Sequence, residues 1–250
     1  MNLKTTILTL LTALTCANAT AQNTSGAVWM SASVDKKLSR QLSVEVEGEY
    51  RTSQWLSSTD RMSIGASATY RLAKGLKAAG GYEYLHGREQ GGYTESGKYY
   101  NSSYWYPRHR VYAGLTGSKK WGRWQVSLRE RWVYTYRPSF MRNRMDMRSD
   151  RSTYGQVLQT EKKGKAENVL RSKLQAEYNI QHCPVTPFAS IELYNAWSVQ
   201  KVRYSAGAEY KIDKHNSMKL YYLFQDRRGN DLDSDSPDLH VIGVQYSHSL

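Results

Sequence analysis

The feature that most constrains this chain is an alternation of apolar and polar residues with a period of two. Between Leu42 and Arg51 the even-numbered positions hold Leu, Val, Gly or Tyr, and the odd-numbered positions hold Ser, Glu or Arg. The same alternation recurs from Arg61 to Leu72. Successive side chains of a β-strand point to opposite faces, whereas a helix would spread both sets around its surface. The pattern therefore predicts β-strands with one apolar and one polar face.

Eleven such segments follow one another along the chain, from Val28–Val34 to a last one that contains His248. Their length of about ten residues suits a tilted strand that crosses the hydrocarbon core of a membrane. Bacterial single-chain barrels normally have an even number of strands. We therefore predict an all-β fold, an antiparallel transmembrane β-barrel of roughly 10 to 12 strands. Either Val28–Val34 is not a full wall strand, which leaves ten, or the alternation does not reveal a twelfth strand.

The connections between the segments are of two kinds. Short ones are marked by the Gly, Pro, Asn and Asp residues of turns, at 73–75, 117–122, 182–186 and 213–216. The long ones are 87–104, 138–168 and 227–238. This asymmetry is typical of outer-membrane barrels, whose short turns face the periplasm and whose long loops face the exterior.

The composition agrees with a barrel and excludes a bundle of membrane helices. Mean hydropathy is -0.69, whereas each spanning helix needs about 20 mostly apolar residues. A barrel wall has a polar inner face, so its average can be this low. The 20 Tyr and 7 Trp against 3 Phe suit a membrane interface. With 40% hydrophobic residues, a disordered chain is disfavoured.

The first residues have the pattern of a secretory signal peptide. Lys4 precedes an apolar run from Ile7 to Leu14, and small residues spaced A-x-A follow, up to Ala21. We predict a signal peptide at 1–21, with cleavage after Ala19 as the alternative, and a single barrel domain at 22–250. Cys16 falls within the signal peptide, so Cys183 is left without an intramolecular disulfide partner.

Short strand phrases also carry a family resemblance. They are the strand that opens with Trp29, Lys36-Lys37-Leu38, Glu49-Tyr50-Arg51, Tyr70-Arg71-Leu72, Gly81-Tyr82-Glu83-Tyr84, Arg108-His109-Arg110 and Glu209-Tyr210-Lys211-Ile212. In these the chain resembles uncharacterised outer-membrane barrels, grouped as a family of unknown function (DUF2490). The resemblance implies an exported β-barrel in the cell outer membrane of a Gram-negative bacterium, and it implies no activity. The end of the chain, Tyr246–Leu250, resembles the C-terminal strand signal of such barrels, with Leu250 in place of the more usual Phe.

The polar faces of the strands predict a charged lumen with a positive excess. The predicted lumen-facing bases are Arg51, Arg61, Arg71, Lys77, Arg108, Arg110, Arg123, Arg129, Arg131, Arg137, Arg171, Lys173, Lys201, Arg203, Lys211 and Lys219. The predicted lumen-facing acids are Glu45, Glu47, Glu49, Glu83, Glu177, Glu192 and Glu209. Such a wall would attract small anions. Alternatively, the charges pair across a narrow interior that the side chains of the barrel fill.

Other candidate sites are weaker. The basic loop Arg137–Glu167 could contact lipopolysaccharide phosphates, fold inward as a constriction, or be solvated. His86 with Ser102 or Ser103 could form a hydrolytic pair at the rim, but nothing in the spacing fixes that geometry. Asp231–Asp235 matches a calcium loop poorly, because Ser236 and Ile242 stand where Gly and Glu belong.

We therefore predict no catalytic, cofactor or metal site, and no nucleic-acid partner. The expected function is a narrow pore or an anion-binding lumen. A non-conducting barrel whose loops bind a surface partner is the alternative, and a lipid-modifying enzyme is a third class. Expected partners are outer-membrane lipid, lipopolysaccharide, the barrel assembly machinery and small anions.

Overall fold

The computed structural model describes residues 25–94, 96–148, 152, 154–228 and 238–250. The predicted signal peptide and the acidic segment 231–235 lie outside these residues. The strands are β1 (Ser25–Lys37), β2 (Leu42–Ser53), β3 (Ser58–Ala73), β4 (Leu76–Glu89), β5 (Gly92–Tyr93), β6 (Tyr99–Asn101), β7 (Tyr104–Trp121), β8 (Trp124–Arg137), β9 (Phe140–Asp146), β10 (Val157–Lys162), β11 (Lys165–Tyr178), β12 (Val185–Asn195), β13 (Val199–Lys211), β14 (Asn216–Arg227) and β15 (Leu239–Ser249). The described residues contain no helix long and apolar enough to cross a membrane.

Eleven of the described strands form a closed barrel, in the order β1-β2-β3-β4-β7-β8-β11-β12-β13-β14-β15. Neighbours are antiparallel, except that β15 closes the wall by pairing with β1 in parallel, from Ser25 opposite Leu239 to Asp35 opposite Ser249. An odd number of up-and-down strands requires this closure, because the first and last strands then run in the same direction. The predicted barrel is confirmed with eleven strands. Both explanations of the odd count are wrong, since β1 is a full wall strand and the described residues close the wall without a twelfth.

The two ends of the barrel differ. The connections at one end, 38–41, 74–75, 122–123, 179–184 and 212–215, are short, and we call this the short-turn end. The other end carries 90–103, 138–164 and 228–238 together with the shorter 54–57 and 196–198, and we call it the long-loop end. β1 starts at the long-loop end, and the chain finishes with Leu250 at the short-turn end.

Two of the long loops fold into a small sheet of their own. Strands β5 and β6 come from the first loop, β9 and β10 come from the second, and they pair in the order β10-β9-β6-β5. Phe140 of β9 packs against Tyr104 and Tyr106, with ring centroids 5.1 and 5.8 Å apart. In its described part, the loop Arg137–Glu167 is therefore packed against residues of the barrel mouth and is not a freely solvated loop.

The outer face of the wall carries the apolar side of the strands. Val46, Ile64, Leu115, Leu128 and Leu220 are among the large apolar side chains exposed there. Aromatic side chains are exposed near both ends of the wall, as in the girdles of membrane barrels. They include Trp121, Trp124 and Tyr210 at the short-turn end and Trp105 and Tyr136 at the long-loop end. This face has the character of a surface that meets lipid.

A hydroxyl–carboxylate pair lies on the apolar outer face. The Ser172 hydroxyl donates a hydrogen bond to the Glu130 carboxylate at 2.6 Å. The two residues are directly opposite on β11 and β8, and Glu130 is also paired with Leu115 of β7. Each polar group therefore has a partner on a face where none would be supplied by lipid.

Inside the wall, large side chains lie beside glycines of the neighbouring strands. Tyr221 is directly opposite both Gly207 and Gly243, and its ring covers the position that a Cβ of Gly243 would occupy. Tyr112 is placed in the same way against Gly81. A narrow barrel interior is filled by such alternation of large and small residues.

Candidate functional site in the lumen

The structure places the predicted lumen residues on the inner face, most of them around a cavity. A cavity of about 460 Å³ is lined by Glu45, Glu47, Glu49, Arg51, Glu83, Arg110, Arg129, Arg131, Arg171 and Lys173. Glu192 and Arg203 line an adjoining space of about 190 Å³. Arg61 is buried beside Glu49, whereas Arg71 and Arg123 are exposed at the short-turn end. Glu177 and Glu209 are half-buried near the same end.

Towards the long-loop end the interior is filled rather than open. Its buried apolar and aromatic side chains are Ala27, Trp29, Leu85, Tyr106, Val133, Val169, Tyr194, Leu223, Leu239 and Val241. Lys201 and Gln225 are buried among them, with exposed fractions of 0% and 2%. We call this set the plug layer. Its described side chains separate the cavity from the long loops.

Trp29 and Leu223 are the residues of the plug layer that line the adjoining space of about 190 Å³. Trp29 also contacts the charged wall. Its ring lies under two guanidinium groups, with Arg51 at 3.6 Å and Arg203 at 4.9 Å from a ring centroid. Cation–π contacts of this kind are worth about 2 kcal/mol when they are desolvated. The indole therefore joins the apolar layer to the charged wall below it.

The sequence reasoning missed the plug layer, although strand parity could have found it. Leu85 lies two residues after the inward Glu83, and Val169 lies two residues before the inward Arg171. A period of two places both inside the wall. Their apolar character conceals this, because the alternation alone predicts that apolar residues face lipid.

Three of the seven predicted lumen acids are held in ion pairs, whereas Glu45 and Glu47, which line the same cavity, have no ion pair among the described residues. Glu49 binds Arg51 at 2.7 Å and Arg61 at 3.0 Å, and Glu83 binds Arg110 at 2.9 Å. Glu192 binds both Arg129, at 2.7 Å, and Arg171, at 3.0 Å. A buried charge is stable only when it is paired and hydrogen-bonded in this way. These residues support the alternative in which charges pair across a narrow interior.

Three bases of the cavity remain without such a partner. Arg131, Lys173 and Lys219 all line the cavity of about 460 Å³. Among the described residues, none of the three has a carboxylate oxygen within 4.0 Å. Arg131 instead stacks on Tyr112 at 4.2 Å, and Lys219 lies 5.2 Å from the ring of Phe188. The cavity therefore presents cationic groups whose charge its own acids do not neutralise by contact.

The short-turn end adds more positive charge around the entrance to this cavity. The exposed bases of the short turns and adjoining strand ends are Lys36, Lys37, Arg40, Arg71, Lys74, Lys77, Lys119, Lys120, Arg123, Lys211 and Lys214. We call them the basic collar. The acids at this end, Asp35, Glu177, Glu209 and Asp213, are fewer. In the turn 212–215, a hydrogen bond from the Asn216 side chain lowers the pKa of Asp213. A collar of one sign raises the local concentration of the opposite ion.

The other candidate residues are placed apart. His86 stacks on Trp105 with centroids 5.1 Å apart, and the Ser103 hydroxyl accepts a hydrogen bond from the Gly91 amide. No hydrogen bond joins His86 to Ser102 or Ser103 within the described ranges. Cys183 is a free thiol beside the turn before β12. In the described part of the chain, no group of three or more His, Cys, Asp or Glu residues could hold a metal ion.

Several solved structures are similar to this chain at low sequence identity. The β domain of the Bordetella autotransporter BrkA is 12% identical, with a TM-score of 0.48 over 75% of this chain and 76% of that one. The translocator domain of the autotransporter NalP from Neisseria meningitidis is 11% identical, with a TM-score of 0.49 over 76% and 70%. The CymD monoaromatic hydrocarbon channel is 9% identical, with a TM-score of 0.42 over 78% and 66%. No curated protein matches the sequence.

A sequence profile gives a more specific relationship. The profile described as a protein of unknown function (DUF2490) matches residues 26–234. This range contains every wall strand except β15, which closes the barrel against β1. The resemblance carried by the short strand phrases is thereby confirmed, and the chain belongs to the DUF2490 family.

Proposed function

We propose that this protein is an outer-membrane β-barrel whose lumen binds small anions that enter from the short-turn end. The short turns then face the periplasm and the folded long loops face the exterior. The apolar outer face with its aromatic ends supports insertion into a membrane. The role is binding rather than catalysis.

One observation carries the anion assignment. Arg131, Lys173 and Lys219 line one cavity without a carboxylate oxygen within 4.0 Å among the described residues. The acids Glu49, Glu83 and Glu192 are already paired, which leaves Glu45 and Glu47 as the described lining acids without an ion pair. Desolvated cations need counter-charges. A small oxyanion supplies both charge and hydrogen-bond acceptors, and the basic collar favours its approach.

The test is calorimetric titration of the refolded protein with sulfate, in a detergent without phosphate groups. Lys173→Gln with Lys219→Gln should weaken sulfate binding by about tenfold or more, the scale expected for lost charged hydrogen bonds. The matched control is Lys98→Gln with Lys163→Gln, which removes two exposed charges from the long-loop end. Equal affinity of both double variants for sulfate would contradict the proposal.

A second measurement separates a binding lumen from an open pore. Because the plug layer fills the long-loop end, the wild-type protein in a planar bilayer should show no steady current. A steady anion-selective current in the wild type would favour the pore over the closed binding lumen.

A second candidate function rests on the exposed apolar side chains of the long-loop end. Tyr93, Met141, Tyr154 and Trp197 are exposed there, the last one fully. A non-conducting barrel that holds a surface partner through these loops would use them. Replacing Tyr93 and Trp197 by Ser should then abolish binding of the surface partner to cells that carry the protein, and it should leave sulfate binding unchanged.

The remaining proposed partners follow from the location. Lipid and lipopolysaccharide would contact the apolar band, and the barrel assembly machinery would insert the chain through its last strand. Depletion of that machinery should remove the protein from the outer-membrane fraction.

A further inference from the structure

The inner face of the loop sheet is a second place where basic side chains outnumber the acids beside them. Residues at alternate positions of a strand share a face, so Phe140, Arg142 and Arg144 of β9 point the same way. Phe140 packs on Tyr104 and Tyr106, and Tyr106 belongs to the plug layer. Arg142 and Arg144 therefore lie on the side of the loop sheet that faces the barrel. We call this region the vestibule.

Buried polar atoms in the vestibule have no hydrogen-bond partner among the described residues. These atoms are Nε of Arg142, Nε of Arg144 and Oδ1 of Asn101. Asn101 of β6 is directly opposite Arg144 in the sheet, so the two side chains are on the same face. Nearly all buried polar groups in native proteins are satisfied by protein, water or ligand. A ligand with both acceptor and donor atoms would satisfy these three groups.

The other charged groups of the vestibule are already in ion pairs. Lys162 binds Glu89 and the hydroxyl of Tyr104, each at 2.7 Å. Asp146, which is fully buried, pairs with Arg148. Arg144 stacks on Tyr99 at 3.7 Å, which fixes its guanidinium in place but neutralises no charge. Arg142 contacts the Tyr104 hydroxyl and lies near Glu89, the carboxylate that Lys162 already binds. Because Arg142, Arg144 and Lys162 share the one carboxylate of Glu89, the described part of the vestibule keeps a positive excess.

From this arrangement we propose a second anion site at the long-loop end, formed by Arg142, Arg144 and Asn101, which binds a phosphate group. Guanidinium groups match phosphate oxygens in geometry and charge. The amide of Asn101 accepts a hydrogen bond from a neighbouring hydroxyl of a phosphorylated ligand. The plug layer separates this site from the lumen cavity, so the two sites are loaded from opposite ends of the barrel.

The experiment titrates the refolded full chain with inorganic phosphate and follows binding by calorimetry. Arg142→Gln with Arg144→Gln should remove one class of sites, with at least about tenfold weaker binding, and should leave the class that Lys173→Gln with Lys219→Gln removes. Lys98→Gln with Lys163→Gln, the exposed control, should change neither class. Unchanged phosphate binding in Arg142→Gln with Arg144→Gln would overturn the vestibule site without touching the lumen proposal.

Two further arms complete the test. The first repeats the comparison in vesicles that contain lipopolysaccharide: arginine-dependent binding of free phosphate assigns a solute, and arginine-dependent binding to these vesicles alone assigns the lipid's phosphate. The second arm neutralises Glu95 and Asp150, acids of the same loops outside the described residues, by Glu95→Gln with Asp150→Asn. If phosphate binds only after that change, the chain's own acids satisfy the arginines and the proposal is wrong.

Discussion

The guanidinium carbon of Arg51 lies 3.6 Å from the centre of a Trp29 ring, at the boundary between the lumen cavity and the plug layer. Trp29 comes from β1, the strand that closes the odd-numbered wall in parallel, and it is only 6% exposed. Arg51 also binds Glu49 through two hydrogen bonds, so its position over the indole is fixed from the other side. This contact joins the closing strand to the charged wall.

Removing the indole should open the long-loop end. In Trp29→Ala we expect a steady current in planar bilayers with a preference for anions, because the space left lies beside Arg51 and Arg203. Trp29→Phe keeps a ring and should remain closed. Folding is checked first by the change in gel mobility on heating, since Trp→Ala in a core costs about 3–5 kcal/mol. A folded Trp29→Ala protein that carries no current would contradict this function of the indole.

The pair of Tyr221 and Gly243 should show a large coupling. In Gly243→Ala the new methyl group meets the Tyr221 ring, so we expect the free energy of unfolding to fall by about 1–3 kcal/mol. In a Tyr221→Ala background the same substitution should have little effect. Urea unfolding of the four proteins in vesicles measures the coupling. Additive effects would show that the ring and the methyl group do not meet.

Glu192 should restrain anion binding while it stabilises the barrel. It pairs with both Arg129 and Arg171, so Glu192→Gln leaves two half-buried bases without this carboxylate. We expect a loss of about 3–5 kcal/mol in the free energy of unfolding. We also expect tighter sulfate binding, because the lumen loses one negative charge. Calorimetry shows the second effect, and weaker sulfate binding in a folded Glu192→Gln protein would count against an anion-binding lumen.

The polar pair on the outer face gives a prediction about the membrane. Ser172→Ala should destabilise the barrel in vesicles, because the Glu130 carboxylate loses its hydrogen-bond donor. Replacing both residues, by Glu130→Leu and Ser172→Ala, should restore or raise the free energy of unfolding. Equal stability of all three proteins would mean that this part of the wall does not face lipid.

The sequence predicted the strands of the barrel wall more completely than the side chains that fill the lumen. Alternation from Leu42 to Arg51 and in the other segments was enough for the barrel, because side-chain period two is a local property of a strand. The parallel closure could not be predicted, since it depends on how β1 meets β15 across the whole chain.

The same limit applies to the site. Side-chain parity predicts that Arg131 and Lys173 lie on the inner face. Ion pairing decides which of the inner bases can bind an anion, and it depends on strands that are far apart in the sequence. Arg129 is neutralised by Glu192 of β12, while Arg131, two residues later, has no carboxylate partner among the described residues. The loop sheet was missed because β5, β6, β9 and β10 are short and support one another only after the barrel brings the two loops together.

The most direct test of the central claim is the position of a bound anion. Crystals of the wild-type protein soaked in selenate, and measured at the selenium absorption edge, should show an anomalous peak in the lumen between Arg131, Lys173 and Lys219. The peak should be absent in Lys173→Gln with Lys219→Gln. A lumen without selenate in the wild type, at concentrations that load other surface sites, would contradict an anion-binding barrel.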